Sequence, residues 1–237
     1  DKYLAKWKGR KLDSITRRQV QSLHKSIGEG GGYYQANRVL ALLSGIYGHA
    51  IREGAEIVNP CASVDKYEEK TRDVYVEDDK LPALLKALDA DPDQDQADVL
   101  RLVLFTGVRP VNICAARWED IDLDAARWTI PKTKSDEDVL VVLSSYAAAI
   151  LQGRHDRRGE SEFVFPGTGK SGHLQSWRGC WGRVKDAAGL EGVRAYDLKR
   201  TFATTANDSG ISYYVTKRLM GHRVTRSDAT ETYSRVK

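Results

Sequence analysis

The stretch "TGVRPVNICAARWEDIDLDAARWTIPKTKS", residues 106–135, changes its period midway, and its reading decides the fold. Gly107 is placed to stop a helix, because glycine enters the left-handed conformation that closes a last turn without a steric penalty. Pro110 suits the first turn of the next helix, where its missing N–H has no partner to lose. After Trp118 the helical spacing gives way to two β-prone runs, "RWTI" (127–130) and "VLVVL" (139–143), separated by a polar turn. A helix, a tight corner, a second helix and a small antiparallel hairpin are predicted in that order.

Working outward, helical patterns precede the corner in "DDKLPALLKALDA" (78–90) and "QADVLRLVLFTG" (96–107). They return after the hairpin in "SYAAAILQG", "SWRGCWGRVKDAAG", "DLKRTFATTANDSG" and "SYYVTKRLMGH", each closing at or near a glycine or histidine. In the last segment, "SDATETYSRVK", Asp228 and Glu231 stand at capping-box spacing, which predicts a short helix carrying Tyr233. Toward the amino terminus, "SITRRQVQSLHKSIGEGG" has Ser14 as its expected N-cap. "YYQANRVLALLSGIYGHAIREG" follows, with a stripe of Val39, Leu42, Leu43 and Ile46 and a stop at Gly54. A polar, aperiodic stretch near residues 65–73 predicts a linker. The expected fold class is mainly α with a small antiparallel β-sheet, in two domains: a helical body over residues 1–70 and a larger one over 72–237.

Charge is distributed unevenly. Residues 1–70 carry 12 Lys/Arg against 8 Asp/Glu, residues 71–98 carry 3 against 9, and residues 99–237 carry 22 against 16. Two basic blocks flanking an acidic one fit a nucleic-acid binder with two contacting bodies, and equally fit a solvated surface of mixed charge. The three cysteines, Cys61, Cys114 and Cys180, are too far apart for a disulfide framework or paired metal ligands, so no metal site is expected. No run of eighteen apolar residues occurs and the first eleven residues are highly charged, so neither a membrane span nor a secretory signal is expected and the protein is read as cytoplasmic. The only methionine is Met220, and the reading expects a chain whose start has been removed.

Tyr233 stands among Thr232, Ser234 and Arg235, not among the apolar residues that usually bury a ring. A phenol has a pKa of about 10 and becomes a useful nucleophile near neutrality only where cations stabilise the developing charge. A DNA phosphodiester is the natural electrophile, since Arg, Lys and His donors hold the charge gathered on its non-bridging oxygens in the transition state. Arg109, at the corner before Pro110, suits a bidentate phosphate clamp or a surface helix cap. Lys134 sits in the hairpin turn, where lysines reach into a groove or only solubilise the turn. His222 follows Gly221 at a helix end, where a histidine donates to a ligand or caps carbonyls.

Taken in order, "TGVRPVNICAARWEDIDLDAARWTIPKTKS", "YDLKRTFATT", "LMGH" and "TYSR" resemble the tyrosine recombinase (phage integrase) family, and "YYQANRVLALLSGIYGHAIREGAEIVNPCASV" looks like its helical core-binding domain. The resemblance implies residues 1–70 as the core-binding domain and 72–237 as the catalytic domain, with site-specific DNA recombination through a 3′-phosphotyrosine and no metal or nucleotide cofactor. It implies Tyr233 as nucleophile, Arg109 as the phosphate-holding arginine, Lys134 as the hairpin lysine that protonates the leaving oxygen, with Lys132 nearby, and His222 as a phosphate donor. The second box departs from the family's His-x-x-Arg: Tyr196 stands in the histidine place and Lys199 in the arginine place, and Asn112 replaces a common acidic residue. Arg200, about 100° further around the helix, is a poor replacement for that arginine and is read as a DNA contact. Lys25, Tyr34, Asn37 and Arg38 are expected to hold DNA from the first domain. The implied partner is double-stranded DNA bearing attachment sites, with a tetramer on paired sites, a monomer without DNA, and residence in the bacterial cytoplasm at the nucleoid. Two alternatives stay open on the sequence: an impaired relative that binds and bends DNA without cutting, and a topoisomerase-like relaxing enzyme.

Overall fold

The computed structural model describes residues 2–30, 32–70, 72–131 and 138–220. The chain divides into two compact units, Asp1–Arg72 and Asp73–Lys237.

The first unit is a helical hairpin, α1 (Arg17–Glu29) and α2 (Tyr33–Arg52). α1 opens on Thr16, whose side chain accepts from the Gln19 N–H while the Gln19 side chain accepts from the Thr16 N–H, a reciprocal capping box. Ser14, the expected cap, instead closes a short 3-10 turn by donating to the Lys11 carbonyl at 2.7 Å. Val20, Leu23 and Ile27 of α1 pack with Ala36, Val39, Leu40, Leu43 and Tyr47 of α2. The expected stripe is half right: Val39 and Leu43 are buried, whereas Leu42 and Ile46 are 47% and 40% exposed. α2 is rotated so that Tyr47 takes the inner position, its hydroxyl donating to the Leu12 carbonyl at 2.6 Å.

The chain after α2 returns to dock on this hairpin. The Tyr67 ring stacks between His24 (4.6 Å) and Tyr33 (4.4 Å), and a Cβ on Gly28 would lie 2.5 Å from the Tyr67 ring. Asn37 fastens the docked segment. Its amide nitrogen donates to the Tyr67 carbonyl and to Glu69 Oε1, both at 2.8 Å, and its oxygen accepts from the Tyr67 N–H at 3.0 Å.

The second unit is built around α4 (Gln94–Thr106), which is buried on nearly all sides and packs against α3 (Leu81–Ala90), α5 (Pro110–Cys114), α6 (Ser145–Asp156), α7 (Arg178–Ala187) and α8 (Asp197–Asp208). α9 (Tyr213–Leu219) follows α8, joined to it by Thr216 Oγ1 donating to Asn207 Oδ1 at 3.0 Å. The described strands form an antiparallel sheet of order β1–β2–β3: Ile121–Asp122, Arg127–Ile130 and Val139–Val142. Trp128 pairs with Val141 and both are buried, while Leu140 and Val142 point outward, so one sheet face closes the core. The fold is mainly helical with a small antiparallel sheet.

Part of the acidic segment is paired with arginines of this unit. Buried Arg154 of α6 donates to Asp98 at 3.0 Å and Asp95 at 2.8 Å and lies over the Phe165 ring at 4.1 Å. Arg101 bridges Asp98 and Asp89, and Arg183 grips both oxygens of Asp91 at 2.8 Å, holding that carboxyl below the usual carboxylate range. Four of the nine acids in residues 71–98 are thus paired with arginines, Asp91 and Asp98 inside the unit and Asp89 and Asp95 at its surface. Burial pushes the thiols of Cys61, Cys114 and Cys180 up to about 11, 12 and 12, which makes them inert packing groups. Among the described residues no helix is long and apolar enough to cross a membrane, and no cluster of metal-ligating side chains occurs.

Candidate active site

The site is organised by the corner that ends α4. Gly107 adopts φ +65° and sends its N–H to the Val103 carbonyl at 2.9 Å. Thr106 reinforces the turn: its hydroxyl donates to the Leu102 carbonyl at 2.5 Å and accepts from the Val108 N–H at 3.2 Å. Glycine is required here for a second reason. A Cβ at 107 would lie 2.6 Å from Phe202 Cδ1 and 2.9 Å from Met220 Cγ, so α8 and the end of α9 both close on this backbone. Arg109 follows in extended conformation, φ −65° and ψ 135°, as Pro110 demands of the residue before it. Its carbonyl accepts the first N–H groups of α5, and its side chain is exposed.

α8 brings the second cation. Asp197 opens the helix by accepting from the Arg194 N–H at 2.8 Å, and Thr201 ties it to the segment before α3 by accepting from the Val76 N–H at 2.9 Å. Between them Lys199 is 5% exposed and turned inward. Its ammonium donates to the Gly107 carbonyl at 2.5 Å and to the Met220 carbonyl at 3.2 Å. One lysine thereby joins the Arg109 corner to the residue two places before His222.

Burial first, and the like charge of Arg109 second, lower the Lys199 pKa from 10.5 to about 8. Between these values the unfolded chain binds more protons than the folded one, so folding stability rises with pH through this window. The gain is fully present above about 10.5 and is lost as pH falls through about 8; at neutral pH the buried charge opposes folding by about 3 kcal/mol. That cost offsets part of the roughly 2–6 kcal/mol lost by leaving two carbonyls without a donor, at about 1–3 kcal/mol each. Lys199→Met is therefore expected to alter stability at pH 7 by no more than about 3 kcal/mol, and wild type should gain about 2 kcal/mol on the variant between pH 7 and pH 9.5. Guanidinium unfolding of both proteins at the two pH values measures this. A difference that does not change with pH contradicts the buried placement.

The remaining expected residues distribute as follows. Tyr196 immediately precedes α8 and is 54% exposed. Arg200 points away from the corner and faces Asp73 at 3.9 Å. Lys132, Lys134, His222 and Tyr233 lie outside the described residues, as do Asp228 and Glu231. In the first unit Lys25 is exposed and pairs loosely with Glu29 at 3.6 Å, and Arg38 is exposed with no ion pair or hydrogen bond among the described residues.

Asn37 departs from the expectation of a DNA contact. It is 4% exposed and both ends of its amide are engaged, with His24 Nε2 at 3.0 Å as a further partner, so it has no free polar edge to offer a phosphate. Tyr34 likewise gives its hydroxyl to the Lys70 carbonyl, although its ring stays 46% exposed. Sequence reasoning missed the carbonyls of Gly107 and Met220 as partners of Lys199, because only tertiary packing brings them together.

Beside the corner an apolar groove of about 500 Å³ runs past Leu104, Phe105, Tyr146, Phe202 and Leu219. No charged side chain lines it, so it does not supply the cations that phosphoryl chemistry needs.

Residues 75–237 match the model of the "Phage integrase family". Prophage integrase IntZ of Escherichia coli strain K12 is 27% identical over 207 residues, covering 85% of this chain and 51% of that protein. Prophage integrase IntA of the same strain is 33% identical over 135 residues, 56% of this chain and 32% of that protein. The chain thus spans about half or less of the length of these curated relatives. Among solved structures, a lambda integrase (75–356) dimer bound to a COC′ core site superposes with TM-score 0.72 at 20% identity, covering 90% of this chain and 81% of that one. The Tn1549 transposon integrase (82–397) in complex with circular intermediate DNA gives 0.68 at 16% identity, covering 95% and 87%. Both show the same fold.

Proposed function

The chain belongs to the phage integrase family, and on that premise we propose that it is a site-specific DNA recombinase that cleaves and rejoins duplex DNA through a tyrosine, integrating or excising a mobile element. The observation that carries this reading is the junction at Gly107, where the buried Lys199 ammonium holds the backbone two residues before exposed Arg109 although 92 positions separate Lys199 from Gly107. An exposed arginine on a corner braced from a distant part of a chain of this family is what a scissile phosphate requires.

Residues 1–70 act as the core-binding domain and residues 72–237 as the catalytic domain. Arg109 holds two non-bridging oxygens of the phosphate with its planar fork. The Tyr233 oxygen attacks phosphorus as its proton passes to solvent, the bond to the 5′ oxygen breaks, and Lys134 protonates that leaving oxygen, with Lys132 beside it. The phosphodiester energy is kept in the 3′-phosphotyrosine, so the freed 5′-hydroxyl of a partner strand can reverse the step without a nucleotide cofactor. His222 donates to the phosphate. Tyr196, exposed at the start of α8, offers one phenolic hydrogen bond in place of a titrating imidazole.

Lys199 takes a positioning role. Its ammonium is committed to the Gly107 and Met220 carbonyls, so it holds the Arg109 corner and the approach to His222 together more than it grips phosphate oxygens. The working assembly is a tetramer on paired attachment sites, acting on bacterial DNA in the cytoplasm; the solved lambda integrase tetramer bound to a Holliday junction supports that stoichiometry by analogy.

The test is capture from a randomised library of nicked suicide duplexes, in which the released fragment diffuses away and traps the intermediate. An adduct that survives detergent, joined to the 3′ end of the cut strand, is expected. A chain that binds duplex DNA and yields no adduct contradicts the proposal.

A further inference from the structure

We propose that a small cleft at the carboxy-terminal end of α6, walled by Trp118, Phe163 and Val164 and rimmed by Arg157 and Arg158, binds a carboxylate carried on an apolar segment of a partner protein. The cleft lies within the second unit and uses none of the residues assigned to DNA or to the chemistry. It goes beyond the recombinase reading and does not depend on it.

α6 ends in "RHDRRGES", residues 154–161. Arg154 is buried, with Nε donating to the Val164 carbonyl at 3.2 Å and its terminal nitrogens committed to Asp95 and Asp98. Arg157 and Arg158 are exposed, and among the described residues no ion pair or side-chain hydrogen bond engages either. Of the acids around them, Asp95, Asp156 and Glu162 already accept from Arg154, Gln152 and Arg117. Exposed Glu160 is left as one charge against two guanidiniums.

The cleft beside these arginines measures about 220 Å³. Its apolar walls are fixed by backbone: the Trp118 N–H donates to the Glu162 carbonyl at 3.0 Å, and the Val164 N–H to the Ala116 carbonyl at 2.9 Å. The Trp118 ring stands nearly perpendicular to His155 at 5.2 Å, and the Arg158 guanidinium lies 5.8 Å from its centre. The Trp118 indole nitrogen is buried and has no hydrogen-bond partner among the described residues. Such a donor costs free energy until an acceptor reaches it. Exposed Arg158 is the movable group against that ring, and its swing toward a bound carboxylate opens the way to the N–H. Ser161 also lines the cleft; its oxygen accepts from the Phe163 N–H at 3.2 Å, which leaves its proton to donate.

Size and chemistry select the occupant. The volume is below the roughly 300–1,000 Å³ of clefts that take a cofactor or drug-sized ligand, so there is room for one side chain or a chain end. Two unpaired guanidiniums, a hydroxyl and an indole N–H offer donors above an aromatic floor. A carboxylate on an apolar stem satisfies both halves, whereas a duplex backbone, polar along its length, leaves the floor uncovered.

The experiment is NMR of the whole chain labelled at its indole nitrogens, titrated with the blocked peptide acetyl-Leu-Glu-Leu-amide and with its neutral counterpart acetyl-Leu-Gln-Leu-amide. The Trp118 resonance, identified as the one lost in Trp118→Phe, is expected to move downfield and saturate with millimolar acidic peptide and to stay in place with the neutral one. Arg157→Ala/Arg158→Ala, at two exposed positions, should weaken that binding by about ten- to a hundredfold. An unmoved Trp118 resonance, equal movement with both peptides, or undiminished binding in Arg157→Ala/Arg158→Ala overturns the site. Movement with inorganic phosphate or a DNA duplex but not with the acidic peptide also overturns it, in favour of a phosphate contact. The adduct test of the recombinase reading is independent of all these results.

Discussion

Arg109→Ala is expected to slow covalent adduct formation on a nicked suicide duplex by about a thousandfold while shifting the melting temperature by less than about 2 °C. The two halves of that expectation come from different features. The rate effect follows from removing a two-pronged donor from the phosphate, a loss of about 4 kcal/mol of transition-state stabilisation. The stability effect is small because the Arg109 side chain is exposed and no hydrogen bond or ion pair holds it among the described residues. Relieving its repulsion of Lys199 even favours the folded state slightly. Arg109→Lys keeps a point charge without the planar fork and should lie between, roughly ten- to a hundredfold below wild type. Single-turnover rates with saturating protein separate this loss from weaker DNA binding. An Arg109→Ala protein as fast as wild type would remove the arginine from the chemistry.

The corner itself was legible because its determinants are local. A glycine closing a helix and a proline opening the next lie three residues apart, and each fixes backbone geometry without help from the rest of the chain. The helices and the β2–β3 hairpin were readable for the same reason, whereas β1 is two residues long and leaves no periodic signal. Thr16 with Gln19 is also a local signature, but Ser14 stands nearer the preceding turn and its hydroxyl finds a closer acceptor there.

What could not be read depends on long-range packing. The outward rotation of Leu42 and Ile46 follows from Tyr47 reaching the Leu12 carbonyl, 35 positions away. Asn37 resembled a DNA contact because a polar residue near a helix start is ambiguous; only the return of Tyr67, 30 positions later, shows that its amide fastens the chain to itself. Lys199 was recognisable as a departure from an arginine, yet its inward direction is set by two carbonyls supplied by α4 and by the end of α9. The two carbonyl partners account for the inward placement of the ammonium. A guanidinium divides its donors between protein and phosphate, whereas an ammonium with two carbonyl partners mainly holds the frame.

Tyr233→Phe carries the largest effect of all. Phenylalanine keeps the ring and removes the only atom proposed to bond phosphorus, so adduct formation should vanish while duplex affinity and its salt dependence persist. An arginine or lysine does not replace it, because a cation stabilises phosphate charge and does not itself form a phosphodiester. The most direct measurement is therefore a side-by-side single-turnover assay of wild type and Tyr233→Phe on the captured suicide duplex, with peptide mapping of any product. The account predicts a detergent-resistant adduct on the peptide containing Tyr233 in wild type and none in the variant. An adduct formed equally well by Tyr233→Phe, or mapped to another residue, would contradict it.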